Sequence, residues 1–288
     1  MPVATVSTGV GIFYEPFGDT ADPVLLLMHG LGSQLLLWEE GFCNALAAKG
    51  FQVVRYDHRD SGLSTTIPDA PVGGAAYTLS DMAADAAGLL DNLGAPDAHV
   101  VGLSLGAMVA QVFAAEHPGR SRSLVSMSSN TGHPDYGQPT GAALEALLVP
   151  TPNDPEKRAA KDLADRRIWA SPEWHDDEHC LAVFADYAAR SRQPASAQGR
   201  QFAAIAATGN REPLLAALTV PTLILHGTAD TLVPPTGGER TAEVIPGAEL
   251  VLVDGWGHDL PPGSWPRLVE LISTHAGRVD CERQRASG

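Results

Sequence analysis

Short unbroken apolar runs alternate with stretches of helical periodicity along most of the chain. Val24-Leu25-Leu26-Leu27-Met28 reads as a strand buried on both faces, since a half-exposed strand would alternate with polar residues. Trp38 to Ala48 reads as a helix, and Gln52-Val53-Val54-Arg55-Tyr56 as a second buried strand. Leu79 to Leu93 carries helical spacing, with Ser80 or Asp81 placed to cap it. Ala98 to Leu103 is a further strand, Leu105 to Glu116 a helix stopped near Pro118, and Ser123 to Met127 the next strand. Such alternation predicts an α/β fold with a mostly parallel central sheet and helices on both faces.

The pattern breaks between about Thr131 and Glu212. Pro-rich loops lead into helical segments at Lys157–Ala170, Asp177–Arg190 and Ala195–Ala207, with no strand-like run among them. Buried strands resume at Pro221 to His226, followed by a helix near Gly238–Ile245, a strand at Glu249–Val253 and a helix near Pro266–His275. The expected organisation is a core of residues 1–130 and 213–288, with residues 131–212 inserted as a helical cap. Gly9-Val10-Gly11 and Gly73-Gly74 read as turns, and the tail after Arg278 as frayed.

Chemistry concentrates where strands end. Gly102-Leu103-Ser104-Leu105-Gly106 joins a strand to a helix, which puts Ser104 at the apex of a sharp turn. Glycine suits positions 102 and 106 because such a turn brings them into close approach. A serine hydroxyl is a weak nucleophile until a base takes its proton and an acid orients the base. His258, in Asp254-Gly255-Trp256-Gly257-His258, follows the last predicted strand and is the candidate base. Asp230, in His226-Gly227-Thr228-Ala229-Asp230, follows the preceding strand and is the candidate acid. Asp254 is nearer His258 in sequence, but nearness along the chain does not put it behind the imidazole. Both Asp230 and His258 sit where open α/β sheets place ligands, outside the carboxyl ends of strands. The expected oxyanion-hole donors are the backbone N–H groups of Leu105 and of Leu31, in His29-Gly30-Leu31-Gly32. His29 itself is read as a residue that fixes this loop by hydrogen bonding.

Composition narrows the partners. The 288 residues, 44% of them hydrophobic, suffice for one large core. A net charge of −15 would repel nucleic acid and anionic membrane, so neither is expected as a partner. The apolar runs are too short to span a bilayer. Cys43, Cys180 and Cys281 are odd in number and scattered, which fits a reducing, cytoplasmic setting better than a disulfide framework. The N-terminal residues show no secretory pattern. No phosphate loop or dinucleotide fingerprint occurs, and serine-triad chemistry needs no cofactor. His175 and His179 stand four apart, as metal-binding pairs can. Their acidic neighbours read better as a helix N-terminus entered through Ser171-Pro172-Glu173. Trp169, Trp174, Phe184 and Tyr187 are candidates for the underside of the cap or for its core.

With its elbow, its His29-Gly30 loop, its acid loop and its Gly257-His258 loop in order, the chain resembles the α/β-hydrolases over nearly its whole length. It looks most like the aclacinomycin methylesterase group, which cleaves a methyl ester on an anthracycline. The likeness rests on residues 21–27, on Arg55-Tyr56-Asp57-His58-Arg59-Asp60-Ser61-Gly62-Leu63-Ser64-Thr65-Thr66 and on residues 98–104. The resemblance implies bracing roles for Asp57, Arg59 and Ser64, and cleavage by an acyl-serine route of a hydrophobic small-molecule ester, such as a methyl ester of a bulky hydrophobic or polyketide-type acid. Serine at the elbow excludes the aspartate-based epoxide hydrolases and haloalkane dehalogenases, because alkylated Ser104 would be an unreactive ether. C–C hydrolysis, lactone hydrolysis, perhydrolysis and a ligand-receptor role remain open. The oligomeric state is not legible.

Overall fold

A computed structural model of the protein describes residues 2–70, 74–149, 152, 154–191, 193–194 and 196–287. The chain opens with strands β1 (Val3–Thr5), β2 (Gly11–Phe17) and β3 (Val24–Met28), then α1 (Glu40–Ala47) and β4 (Gln52–Tyr56). Next come α2 (Leu79–Leu93), β5 (Ala98–Leu103), α3 (Leu105–Glu116) and β6 (Ser121–Met127). Five helices follow without a strand: α4 (Gly141–Leu148), α5 (Pro155–Trp169), α6 (Asp177–Arg190), α7 (Ser196–Thr208) and α8 (Glu212–Leu215). The chain ends with β7 (Thr222–Gly227), α9 (Thr236–Val244), β8 (Glu249–Val253) and α10 (Trp265–Ser287).

The strands form one sheet in the order β1-β2-β4-β3-β5-β6-β7-β8. Pairing is antiparallel at β1–β2 and β2–β4 and parallel from β4 to β8. The strand period of two divides the core between two faces. Leu26, Met28, Val54, Val100 and Ile224 pack with α2, α3 and α9, while Leu25, Leu27, Val53, Val101 and Leu225 pack with α1 and α10. Hence the inner strands carry apolar residues on both faces.

Several expectations need correction. The α2 cap is Thr78, not Ser80 or Asp81; Asp81 completes a capping box by accepting the Thr78 N–H. Residues 35–37 make a short 3-10 turn, so α1 starts at Glu40 rather than Trp38. The tail after Arg278 is helical through Ser287. It is pinned to the sheet by Asp280, which contacts His99 at 3.1 Å and Arg122 at 3.0 Å, and by Arg283, which reaches Asp97 at 2.6 Å. Strands β1 and β2 carry no continuous apolar run, because they lie at the partly exposed edge. Helix α4 lies in the stretch read as Pro-rich loops. Gly73 and Ala195, each part of a sequence reading, lie outside the described residues.

Candidate active site

Ser104 occupies the joint between β5 and α3 with φ 57° and ψ −120°, outside the region ordinary side chains prefer. Its N–H donates to Met127 O at 2.9 Å, and its carbonyl accepts from Met108 N at 3.1 Å and from Ser129 Oγ at 3.0 Å. The flanking glycines are required sterically. A Cβ on Gly102 would stand 2.2 Å from Gly106 O, and one on Gly106 would stand 2.0 Å from Met28 O. Parallel pairing of Met28 with Gly102 then brings the loop after β3 beside the serine. A Cβ on Gly30 would be 3.5 Å from Ser104 Cβ.

That loop is rigidly held. His29 is fully buried, and burial pushes its pKa down to about 4, so it is neutral near pH 7. Its Nε2 accepts the His58 N–H at 3.2 Å, which leaves the proton on Nδ1 to donate to Gly30 O at 2.9 Å. His29 therefore fixes backbone, as expected. The Gly32 N–H donates to Gln201 Oε1 of α7 at 3.1 Å. The N–H groups of Leu31 and Leu105 have no protein acceptor among the described residues. The expected braces are in place. Asp57 accepts from Leu35 N and Leu63 N at 2.9 and 3.0 Å, Ser64 Oγ donates to Asp57 O at 2.7 Å, and Arg59 pairs with Asp85 at 2.6 Å.

Asp230 and His258 meet across the ends of β7 and β8. His258 Nδ1 lies 2.7 Å from Asp230 Oδ2, and the Asp230 side chain is wholly buried. Oδ1 accepts from Leu232 N at 3.0 Å and Val233 N at 2.8 Å, so the carboxylate is oriented from both sides. A proton on Nδ1 leaves Nε2 as the basic nitrogen. Asp254 is engaged elsewhere, accepting from Thr228 Oγ1 at 3.0 Å. Ser104 Oγ makes no hydrogen bond to His258 among the described residues. Such contacts commonly tighten only once substrate is bound.

A crevice of about 50 Å³ opens next to the histidine loop, with Leu37, Trp174, Phe184 and Tyr187 on its apolar side and Glu39, Arg166, His179 and Asp259 on its polar side. It joins core to inserted helices. His179 on α6 reaches Glu39 at 2.9 Å across its edge, while His175 turns to Asp177 at 2.7 Å. Asp176 caps α6 by accepting from Glu178 N at 2.9 Å and His179 N at 3.3 Å. Ser171 is thus not the entry to α6; its hydroxyl bonds to Asp259 instead, at 2.6 Å. Sequence reasoning missed Ser129, Arg166, Ser171, Gln201 and Asp259, whose partners lie far off in the chain. The adjacency of Asp259 to His258 was the one available signal.

The model of the α/β hydrolase fold family matches residues 23–261. The chain belongs to the α/β-hydrolase fold family. Rhodomycin D methylesterase of Streptomyces peucetius is 28% identical to it, over 96% of this chain and 98% of the relative. Among solved structures, the enol-lactonase of Burkholderia xenovorans LB400 superposes with a TM-score of 0.75 at 25% identity, covering 95% of this chain and 99% of the lactonase. Esterase RhEst1 from Rhodococcus sp. ECU1013 shares the fold at a TM-score of 0.79 and 24% identity, covering 96% of this chain and 98% of the esterase. Among the described residues no helix is long and apolar enough to cross a membrane.

Proposed function

We propose that this α/β-hydrolase cleaves carboxylic esters through an acyl-serine intermediate. The observation that carries the reading is the Ser104 elbow set beside a free-donor loop, with the buried Asp230–His258 pair at the same edge of the sheet. Ser104 Oγ attacks the ester carbonyl as His258 Nε2 takes the hydroxyl proton. Asp230 holds the imidazole in the tautomer that frees Nε2 and stabilises the imidazolium. The carbonyl oxygen becomes an oxyanion facing the N–H groups of Leu31 and Leu105. The tetrahedral intermediate collapses, the C–O bond to the alcohol breaks, and His258 returns the proton to the leaving alkoxide. Water, deprotonated by the same histidine, then releases the acid and restores Ser104.

Residues 131–212 act as the cap in this reading, and the substrate enters between cap and core, along the crevice beside α6. Its aromatic and aliphatic side suits a hydrophobic substituent, and Glu39, Arg166 and Asp259 offer polar partners beside it. The likeness to rhodomycin D methylesterase supports a methyl ester of a bulky hydrophobic acid. Lactone hydrolysis, which uses the same steps on a cyclic ester, is the second reading, favoured by the likeness to the enol-lactonase. Three unpaired cysteines support a cytoplasmic setting.

The test is a rate panel for wild type and Ser104→Ala on short and long p-nitrophenyl esters, lactones and polycyclic methyl esters. Ser104→Ala is expected to lose at least about 10³-fold in kcat. Most of the activity surviving in that variant would refute the serine mechanism. Preference for bulky methyl esters supports the substrate class, whereas confinement to lactones moves it to the second reading.

A further inference from the structure

The main chain of His258 is held by the inserted helices. Its N–H donates to Trp169 O at 2.6 Å, and its carbonyl accepts from Arg166 Nη1 at 3.3 Å. Among the described residues, it has no main-chain partner in the sheet or its flanking loops. The neighbouring residues are tied to the same segment, Arg166–Ser171 at the end of α5. The Gly257 N–H donates to Ser171 Oγ at 2.9 Å. Ser171 in turn donates to the Asp259 carboxylate, from Oγ at 2.6 Å and from its N–H at 3.1 Å. The acid loop is tied as well, since Thr231 Oγ1 donates to Ile168 O at 2.9 Å.

This joint is closely fitted. A Cβ on Gly257 would lie 2.4 Å from Trp169 O, so a side chain there would push the segment off the loop. Ser171 is 0% and Asp259 5% exposed. Among the described residues Asp259 forms no ion pair, and its carboxyl oxygens accept from the Ser171 N–H and hydroxyl. A carboxylate with so few alternatives holds its donor in one place.

We propose that Ser171 and Asp259 are positioning residues for His258, through which the inserted helices set the geometry of the base. The proposal rests on the serine-hydrolase reading above. In it, the end of α5 is a fixed part of the catalytic apparatus, and displacement of that end carries His258 with it. Asp259 also lines the crevice beside α6, whereas Ser171 does not. Ser171 is therefore the residue at which positioning and substrate binding load onto different kinetic constants.

The experiment compares wild type, Ser171→Ala, Asp259→Asn, the double variant and Ser104→Ala on one hydrolysed ester, with thermal melts to establish folding. Each single variant is expected to lose about 10- to 100-fold in kcat, the scale of a roughly 1 Å misplacement, and in Ser171→Ala, whose residue does not line the crevice, KM should stay within about twofold. The double variant should be about as slow as the slower single, because both break one joint. Labelling of Ser104 by a small fluorophosphonate should slow in parallel, since it draws on the same base without filling the crevice. A folded Ser171→Ala enzyme with unchanged kcat and labelling rate, or a raised KM at intact kcat, overturns the proposal. Should Ser171→Ala fail to fold, Asp259→Asn, which keeps the shape of the joint, is read by kcat and the labelling rate alone. Substantial turnover by Ser104→Ala would defeat the serine reading itself. An inactive Ser104→Ala beside a full-speed Ser171→Ala defeats only the positioning role.

Discussion

A serine at φ 57° stores roughly 1–3 kcal/mol of backbone strain, and its surroundings leave it no alternative. Met127 O, Met108 N and Ser129 Oγ hold its amide and carbonyl, while Gly102 and Gly106 admit the crossing backbone. The glycines could be read in the sequence because only Gly fits contacts that close; Ser129 could not, because a serine after a strand has no special signature. The buried histidines carry a second consequence. His29 is held neutral by burial, with a folded pKa of about 4 against 6.5 when exposed, and burial pushes His58 and His226 down too. Their folded pKa values are depressed, so below pH 6.5 the unfolded chain binds more protons than the native one. Stability is then full above about pH 6.5 and falls as the pH drops towards 4, by about 3 kcal/mol from His29 alone. Urea unfolding measured from pH 7 to pH 4 should show this decline. A flat profile across that window would mean that His29 is not buried as described.

At the scale of elements, the helices between β6 and β7 are fastened to the core by charge as well as by apolar contact. Arg200 of α7 grips Asp60 through two bonds of 2.9 and 2.7 Å, and the Asp60 side chain is fully buried. Removing the cation leaves that buried carboxylate without its ion-pair partner and with the Ile67 N–H still donating at 2.8 Å, so Arg200→Met is expected to cost about 3 kcal/mol. Denaturant titration checks this, and a loss under about 1 kcal/mol would show that the pair is not desolvated. The partners are 140 residues apart, and nothing in either local sequence announces the pairing. The same reason explains the tail of α10. Its sequence is polar enough to read as frayed, yet Asp280 and Arg283 find partners on β5 and β6 and just before β5. By contrast, α2, α3, β3, β4 and β5 have the bounds the sequence predicts, because a period of 3.6 or an unbroken apolar run reports burial directly.

Over the whole molecule, a net charge of −15 sets the approach of charged substrates. An ester bearing a carboxylate should be hydrolysed with lower kcat/KM at low salt than its neutral analogue. The gap should narrow at least about twofold as salt rises from about 0.01 to 0.15 M and the screening length falls from about 30 to 8 Å. Equal salt response for both esters would show that the field does not reach the site. The sequence alone determined the layered α/β fold, the serine elbow and the Asp230 and His258 loops. Strand burial and tight turns restrict residue type locally, and that restriction is visible in a single chain. Tertiary structure decided which nitrogen of His258 meets Asp230, which loop lies beside Ser104, and how Ser171 bonds to Asp259 and Gly257 on either side of His258. These depend on contacts between segments tens to hundreds of residues apart, where many residue types would serve and only folding selects the partner.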